Sequence, residues 1–215
     1  MKVRHSPDGF PAWTETMDKW GQHMINGCFT VAEMAAIGLG LNRSTFTKKM
    51  ERGPHLLAPT GSDLTRYKKG TVFAGFHYGT NLLISDFNLL TIHGKSRFPG
   101  LFAWLRTGER INVSVPEGHL LLQSGKQFEI LTGGYVTCGY HEVIYTDLVE
   151  KAKDKAIQEG RIPWRVSSTL FSHIRGDVML EPIGKFATPE AKKQYKPILA
   201  HDHMMEELKD IKLAA

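Results

Sequence analysis

The stretch FAGFHYGTNLLISDFNLLTIHG, Phe73–Gly94, decides how the rest of the chain is interpreted. It places His77 two residues before Gly79 and nine residues before Asp86, between segments rich in the β-branched and aromatic residues of strands. Imidazole and carboxylate groups are common ligands of divalent transition metals. The stretch therefore raises the question of whether Asp86 completes a metal site here or whether Gly79 leaves one position open.

Segments with the composition of strands continue on both sides of this stretch. The candidate strands are Val72–Tyr78, Phe87–His93, Leu101–Arg106, Arg110–Val115, His119–Gln123, His141–Thr146 and Trp164–His173. RTGER, Arg106–Arg110, predicts a hairpin turn between two of them. Short connections between such strands favour a double-sheet jelly roll. We therefore predict an α+β fold, mainly β, built on a double-stranded β-helix.

Helical patterns lie before, within and after the strand-rich region. The candidate helices are Pro11–Ile25, Phe29–Leu41, Asp147–Gly160, Pro189–Tyr195 and His201–Leu213, with a further helix in STFTKKMERG that Ser44 caps and Gly53 and Pro54 end. This order predicts an N-terminal helical layer over residues 1–55 and a jelly-roll core with C-terminal helices over residues 56–215.

Bulk composition limits the classes of partner. The 215 residues carry a formal charge of +5, but the Lys and Arg form no basic run, so we expect no nucleic-acid partner; a preference for small anions accounts equally well for the charge. No run approaches the roughly 18 apolar residues of a membrane span. Cys28 and Cys138 are isolated, which favours reduced thiols. We expect a cytoplasmic monomer with a small-molecule substrate.

Two histidines and a late strand carry the chemical pattern. His77 ends TVFAGFHY and His141 begins HEVIYT, and the strands of a jelly roll can bring such residues together on one metal. In WRVSSTLF, Arg165 and Ser167 share a face because they are two residues apart. A guanidinium beside a hydroxyl can clamp a carboxylate. Each feature alone also fits an ordinary packed or solvent-facing side chain.

Taken in order, these features resemble the non-haem Fe(II), 2-oxoglutarate-dependent dioxygenases. The chain is most similar to the isopenicillin N synthase-like branch and, within it, to a set of uncharacterised plant and protist members. The resemblance runs from about Phe10 to the C-terminus. It rests on GPHLLAPTGSDL, TVFAGFHY, DFNLLTIHGKSRFPGL, LLLQSGKQFEILTGG, GYHEV and WRVSSTLFSHI.

The resemblance implies a site and a reaction. His77, Asp86 and His141 would bind Fe(II) as a facial triad, leaving three positions for 2-oxoglutarate and O2. Arg165 and Ser167 would hold the distal carboxylate of 2-oxoglutarate. The implied activity is oxidation of a C–H bond in a small molecule, with succinate and CO2 as co-products.

The chain departs from this branch in two places. It is shorter at its N-terminus than the usual members. It also carries a seven-residue insertion, Gly79–Ser85, where those members read His-x-Asp. In an unbroken strand, His77 and Asp86 would face opposite sides because they are an odd number of residues apart, so the strand must break.

Three outcomes follow from the insertion. If the seven residues loop out, Asp86 returns beside His77 and the triad survives, which is the outcome we expect. If the strand continues through Gly79, the carboxylate position stays open, as in halogenases that bind chloride there. If the register slips, the protein is a catalytically impaired remnant.

Some other polar residues have simpler interpretations. We expect His93 to pack or to form hydrogen bonds rather than to bind metal, and we expect His201 and His203 to lie on the surface. Gln123, Lys126 and Gln127, just before the turn that leads to His141, are expected to line the cavity.

Overall fold

The computed structural model describes residues 6–74 and 86–210 of the chain. The helices are α1 (Trp13–Gly38), α2 (Thr47–Met50), α3 (Lys126–Leu131), α4 (Asp147–Gln158), α5 (Pro189–Gln194) and α6 (Ala200–Asp210). The strands are β1 (Leu56–Asp63), β2 (Val72–Ala74), β3 (Leu90–His93), β4 (Leu101–Trp104), β5 (Arg110–Asn112), β6 (Leu121–Ser124), β7 (Tyr140–Ile144), β8 (Trp164–Ser172), β9 (Met179–Leu180) and β10 (Ile198–Leu199).

The strands form two four-stranded antiparallel sheets. One has the order β1-β8-β3-β6 and the other the order β2-β7-β4-β5, while β9 and β10 form a separate ribbon. In the first sheet His93 is opposite Thr169, and in the second His141 is opposite Ala103. Helices and antiparallel sheets together confirm the predicted mixture of α and β structure.

Strand β8 separates the core from the cavity described below. Ser168, Leu170 and Ser172 face α1 and the main core: Trp20 Nε1 donates a hydrogen bond to Ser168 Oγ (2.6 Å), and Ser172 Oγ donates one to the Leu90 carbonyl (2.7 Å). The alternate residues point to the other side of the sheet, as the period of a strand requires. They are Arg165, Ser167, Thr169 and Phe171.

Helix α1 is continuous where the sequence predicted two helices. Its buried face repeats every four residues, and burial of that face against the sheet offsets the cost of about 1 kcal/mol for a glycine inside a helix. A Cβ at Gly27 would lie 3.3 Å from Ile92 Cδ1, so the glycine lets the helix approach β3 closely. The buried residues of this face are Met24, Cys28, Ala32 and Ala36.

Strand β1 was not predicted, because Pro59 and Gly61 lie within it. Proline cannot donate to a strand ladder and is confined to edge strands. Among the described strands, β1 is the edge strand of its sheet and pairs only with β8, so a proline can be accommodated there.

The two cysteines, Cys28 and Cys138, are buried, and no disulfide joins them, which agrees with the predicted reduced thiols. Burial raises the pKa of the Cys28 thiol to about 11. No helix among residues 6–74 and 86–210 is both long enough and apolar enough to span a bilayer.

Two histidines of the C-terminal region are buried, and for His203 the expected surface position is wrong. His173 and His203 are 4% and 7% exposed. Burial lowers the pKa of each to about 4; His55 and His203 add to the effect at His173, and Lys126 adds to it at His203. Both imidazoles are therefore neutral in the folded protein near neutral pH.

This burial predicts acid sensitivity. An unfolded histidine has a pKa of about 6.5. Between that value and about 4 the unfolded chain binds more protons, so the free energy of unfolding falls as the pH decreases. His203→Gln should reduce the loss between about pH 7 and about pH 5.5 by roughly 1 kcal/mol in urea unfolding. His201→Gln, on the exposed side of α6, is the control, and equal losses in both variants would contradict the prediction.

Candidate active site

A cavity of about 320 Å³ receives side chains from both sheets. The first sheet contributes residues of β1, β3 and β8, and the second contributes residues of β2, β4, β5 and β7. The loop between β3 and β4 forms part of the wall. The polar lining residues that matter below are His93, Lys95, Arg97, His141, Arg165 and Ser167.

The carboxylate of Asp86 is buried near this cavity. The residue is 9% exposed, and its Oδ2 atom has no hydrogen-bond partner among the described residues. Its backbone is held by the start of α3: Lys126 N donates to the Asp86 carbonyl (2.7 Å), and Gln127 N donates to the Asn88 carbonyl (3.1 Å). The position of Asp86 is therefore fixed by contacts that follow the insertion in the chain.

His141 and His93 lie edge to face in the cavity wall. Their ring centroids are 6.1 Å apart at an interplanar angle of 73°. His93 Nδ1 is 3.1 Å from Thr169 Oγ1, so His93 forms a hydrogen bond as the sequence predicted. His93 Nε2 and His141 Nδ1 are buried without partners in the described part of the chain.

Asp86, His141 and Arg165 all affect the pKa of His93. Burial lowers its pKa to about 4; the Asp86 carboxylate acts in the opposite direction, and His141 and Arg165 lower the pKa further. The Asp86 carboxylate and the His141 imidazole therefore both act electrostatically on His93.

Arg165 is a buried cation in the same cavity. It is 9% exposed, burial lowers its pKa, and its Nε donates to the Pro99 carbonyl at 3.3 Å. No ion pair joins it to a carboxylate within residues 6–74 and 86–210. Ser167 lies on the same face, with its Oγ 3.0 Å from Thr60 Oγ1. The pair offers a cation and a hydroxyl to an anionic ligand.

The structure brings only some of the predicted site residues together. Asp86, His141, Arg165 and Ser167 are described, whereas His77 and the insertion Gly79–Ser85 lie outside the described residues. Within the described ranges, no three His, Cys, Asp or Glu side chains are arranged to hold a metal ion. The described residues thus supply two of the three proposed ligands.

The expectation that Lys126 and Gln127 line the cavity is wrong. Both belong to α3, which was not predicted and which turns their side chains elsewhere. Lys126 forms an ion pair with Glu129 (2.7 Å), and the Gln127 Oε1 atom accepts a hydrogen bond from Ile174 N (2.9 Å). Gln123 lies beside His93, whose pKa its side chain raises.

Several lining residues were not identified from the sequence, among them Thr169, Lys95 and Arg97. Thr169 could have been found by extending the two-residue period of Arg165 and Ser167 along the strand. Lys95 and Arg97 are in the loop after β3, where no periodicity shows which side chains turn inward.

Comparison with solved structures shows that the chain has the fold of 2-oxoglutarate, Fe(II) oxygenases. It is similar to a full-length Neurospora crassa protein solved in complex with α-ketoglutarate (TM-score 0.75, 18% identity, 96% of this chain and 60% of that one). It is also similar to a putative 2OG-Fe(II) oxygenase family protein of Caulobacter crescentus (TM-score 0.75, 20% identity, 98% of this chain and 63% of that one). A third similar structure is the dioxygenase for auxin oxidation of rice (0.73, 18%, 96% and 63%).

The chain spans roughly 60% of the length of these proteins. No family model and no curated protein matches the sequence. At these identities the likeness establishes the fold.

Proposed function

We propose that this chain is an Fe(II)- and 2-oxoglutarate-dependent dioxygenase of the isopenicillin N synthase-like branch. It oxidises a C–H bond of a small molecule with O2 and releases succinate and CO2. The observation that carries the proposal is Arg165, a buried guanidinium without a carboxylate partner in the described chain, which opens into the same cavity as His141. In this proposal the two sheets form a double-stranded β-helix behind the helical layer of residues 1–55.

Asp86 and His141 would bind Fe(II), with His77 as the third ligand. The fit is supported by the buried Asp86 Oδ2 and His141 Nδ1 atoms, which lack partners among the described residues. Buried polar atoms without partners are rare in folded proteins and point to a missing ligand. Bound Fe(II) would couple the reduction of O2 to the oxidative decarboxylation of 2-oxoglutarate.

Arg165 and Ser167 would position 2-oxoglutarate. The guanidinium presents a planar fork that matches the distal carboxylate, and the Ser167 hydroxyl adds a donor on the same face of β8. His93, held by Thr169, lines the wall and stays neutral near pH 7, so it adds no charge to the site.

The test is optical and anaerobic. Fe(II) and 2-oxoglutarate should give a weak visible charge-transfer band with the wild-type protein. The band should be absent in His141→Ala and retained in His119→Ala, because His119 is exposed and bonds only its local backbone. A wild-type protein without a band, or a band that survives in His141→Ala, would refute the proposal.

A second candidate is a jelly-roll remnant without productive iron binding. It is favoured by one observation, the lack of a three-ligand arrangement within residues 6–74 and 86–210. The wild-type band separates the two candidates, because a remnant would give no band. Where a band forms, Asp86→Ala distinguishes a carboxylate ligand from an open carboxylate position. Loss of the band identifies Asp86 as a ligand, whereas a band that persists and responds to chloride identifies an open carboxylate position.

A further inference from the structure

The charge of the cavity lining is one-sided. Three cationic side chains line it, from Lys95, Arg97 and Arg165, and no Asp or Glu belongs to the lining within the described chain. A concave surface with charges of one sign concentrates ligands of the opposite sign. The described lining therefore favours anionic ligands.

Two of these cations already have partners. Arg165 is assigned to 2-oxoglutarate by the proposed function. Lys95 Nζ lies 2.7 Å from Glu117 Oε2, and both side chains are largely exposed. The Arg97 side chain forms no ion pair and no hydrogen bond with a described residue, so it is the one lining cation without a partner there.

Formal charges lead to the same residue. The charges of Fe(II) and Arg165 are balanced by those of Asp86 and of 2-oxoglutarate, which is a dianion. Lys95 and Glu117 balance each other. One positive charge remains at the cavity, and it is the charge of Arg97.

Arg97 is held by the loop that carries it. The next residue, Phe98, is 4% exposed and packs with Tyr145 and Val149 in a small hydrophobic cluster separate from the main core. The Pro99 carbonyl accepts the hydrogen bond from Arg165 Nε. The backbone beside Arg97 is thus anchored, which reduces the entropy lost when its side chain binds a ligand.

We propose that the primary substrate is a carboxylic acid whose carboxylate binds Arg97 at the cavity mouth. This inference rests on the proposed function. The guanidinium fork suits a planar carboxylate. An apolar body suits the remaining wall, which includes Phe98, Leu101, Val113, Val115, Val143 and Phe171.

The experiment uses the anaerobic Fe(II) and 2-oxoglutarate complex of the full chain. Phenylacetate, 3-phenylpropionate and hexanoate are each titrated beside their primary amides, and the shift of the charge-transfer band is followed. The acids should act at concentrations about tenfold lower than the amides. In Arg97→Ala this preference should vanish with the amides unaffected, and Arg97→Lys should keep part of it.

Arg43→Ala is the matched control, because it removes the same charge from an arginine that pairs with Glu33 on α1. It should keep the preference for acids. Equal responses to acids and amides, no response to any acid, or an acid preference that survives in Arg97→Ala would overturn the inference while the band itself upholds the proposed function. If no band forms before any probe is added, the proposed function fails, and the inference fails with it.

Discussion

Arg165→Met should abolish tight binding of 2-oxoglutarate without destabilising the ligand-free protein. Truncating one partner of a buried, hydrogen-bonded charge pair costs about 2–5 kcal/mol, so we expect the Kd to rise by about 30-fold or more. The substitution should stabilise the ligand-free protein, because an apolar side chain of similar length replaces a buried cation that has no carboxylate partner in the described chain. If Arg165 had only a structural role, Arg165→Met would instead lower the free energy of unfolding of the ligand-free protein.

Thermal unfolding with Mn(II) in place of Fe(II) measures both effects. At about 100 times the Kd, 2-oxoglutarate should stabilise the wild type by about 2.7 kcal/mol, which corresponds to a rise in Tm of roughly 5–10 °C. At the same concentration, 2-oxoglutarate should stabilise Arg165→Met by less than about 1 kcal/mol, and Arg165→Lys should lie between this variant and the wild type. Arg175→Met is the control, because Arg175 is partly exposed and pairs with Asp177. An undiminished rise in Arg165→Met would exclude the carboxylate role.

Among glycine-to-alanine substitutions near the site, Gly125→Ala should lower the free energy of unfolding most. A Cβ at this position would lie 2.1 Å from the Asn88 carbonyl oxygen and 2.8 Å from the Asp86 carbonyl oxygen. Backbone atoms cannot move aside as a flexible side chain can, so the chain must shift where Asp86 is held. We expect a loss of about 3 kcal/mol or more, which lowers the Tm by roughly 6–12 °C.

The same substitution tests the placement of Asp86. The variant that remains folded at low temperature should bind Mn(II) more weakly, because its carboxylate has moved. Gly139→Ala is the control, since a Cβ there meets nothing within 4 Å and the Gly139 N–H can still donate to the Ser124 carbonyl. Similar Tm values for the two variants would mean that the close approach at Gly125 is relieved at little cost.

The sequence predicted those parts of the fold that depend on local pattern. RTGER forms the expected hairpin, in which Leu105 N donates to the Glu109 carbonyl (2.8 Å) between β4 and β5. Arg165 and Ser167 share a face because strand periodicity is a local property. The edge strand β1 was missed, since a proline argues against a strand until the position of that strand in its sheet is known.

The features of the site that depend on distant contacts could not be predicted. Nothing near Asp86 in the sequence indicates that Lys126 N holds its carbonyl. From the sequence, the role of Asp86 as a metal ligand depended on the conformation of the insertion. In the structure, the contacts that fix Asp86 come from residues after the insertion. The sequence predicted a surface position for His203, because His201 and His203 are two residues apart on a helix and cannot face one metal ion together. The burial of His203 on α6 depends on packing between distant segments.

The alternation along β8 has a consequence for redesign. Positions 165, 167, 169 and 171 line the cavity, whereas positions 168, 170 and 172 face α1 and the core. Variation confined to the odd positions would change ligand preference with little effect on folding, and variation at the even positions would do the reverse. The strand offers a library design in which recognition and foldability are varied separately within nine residues.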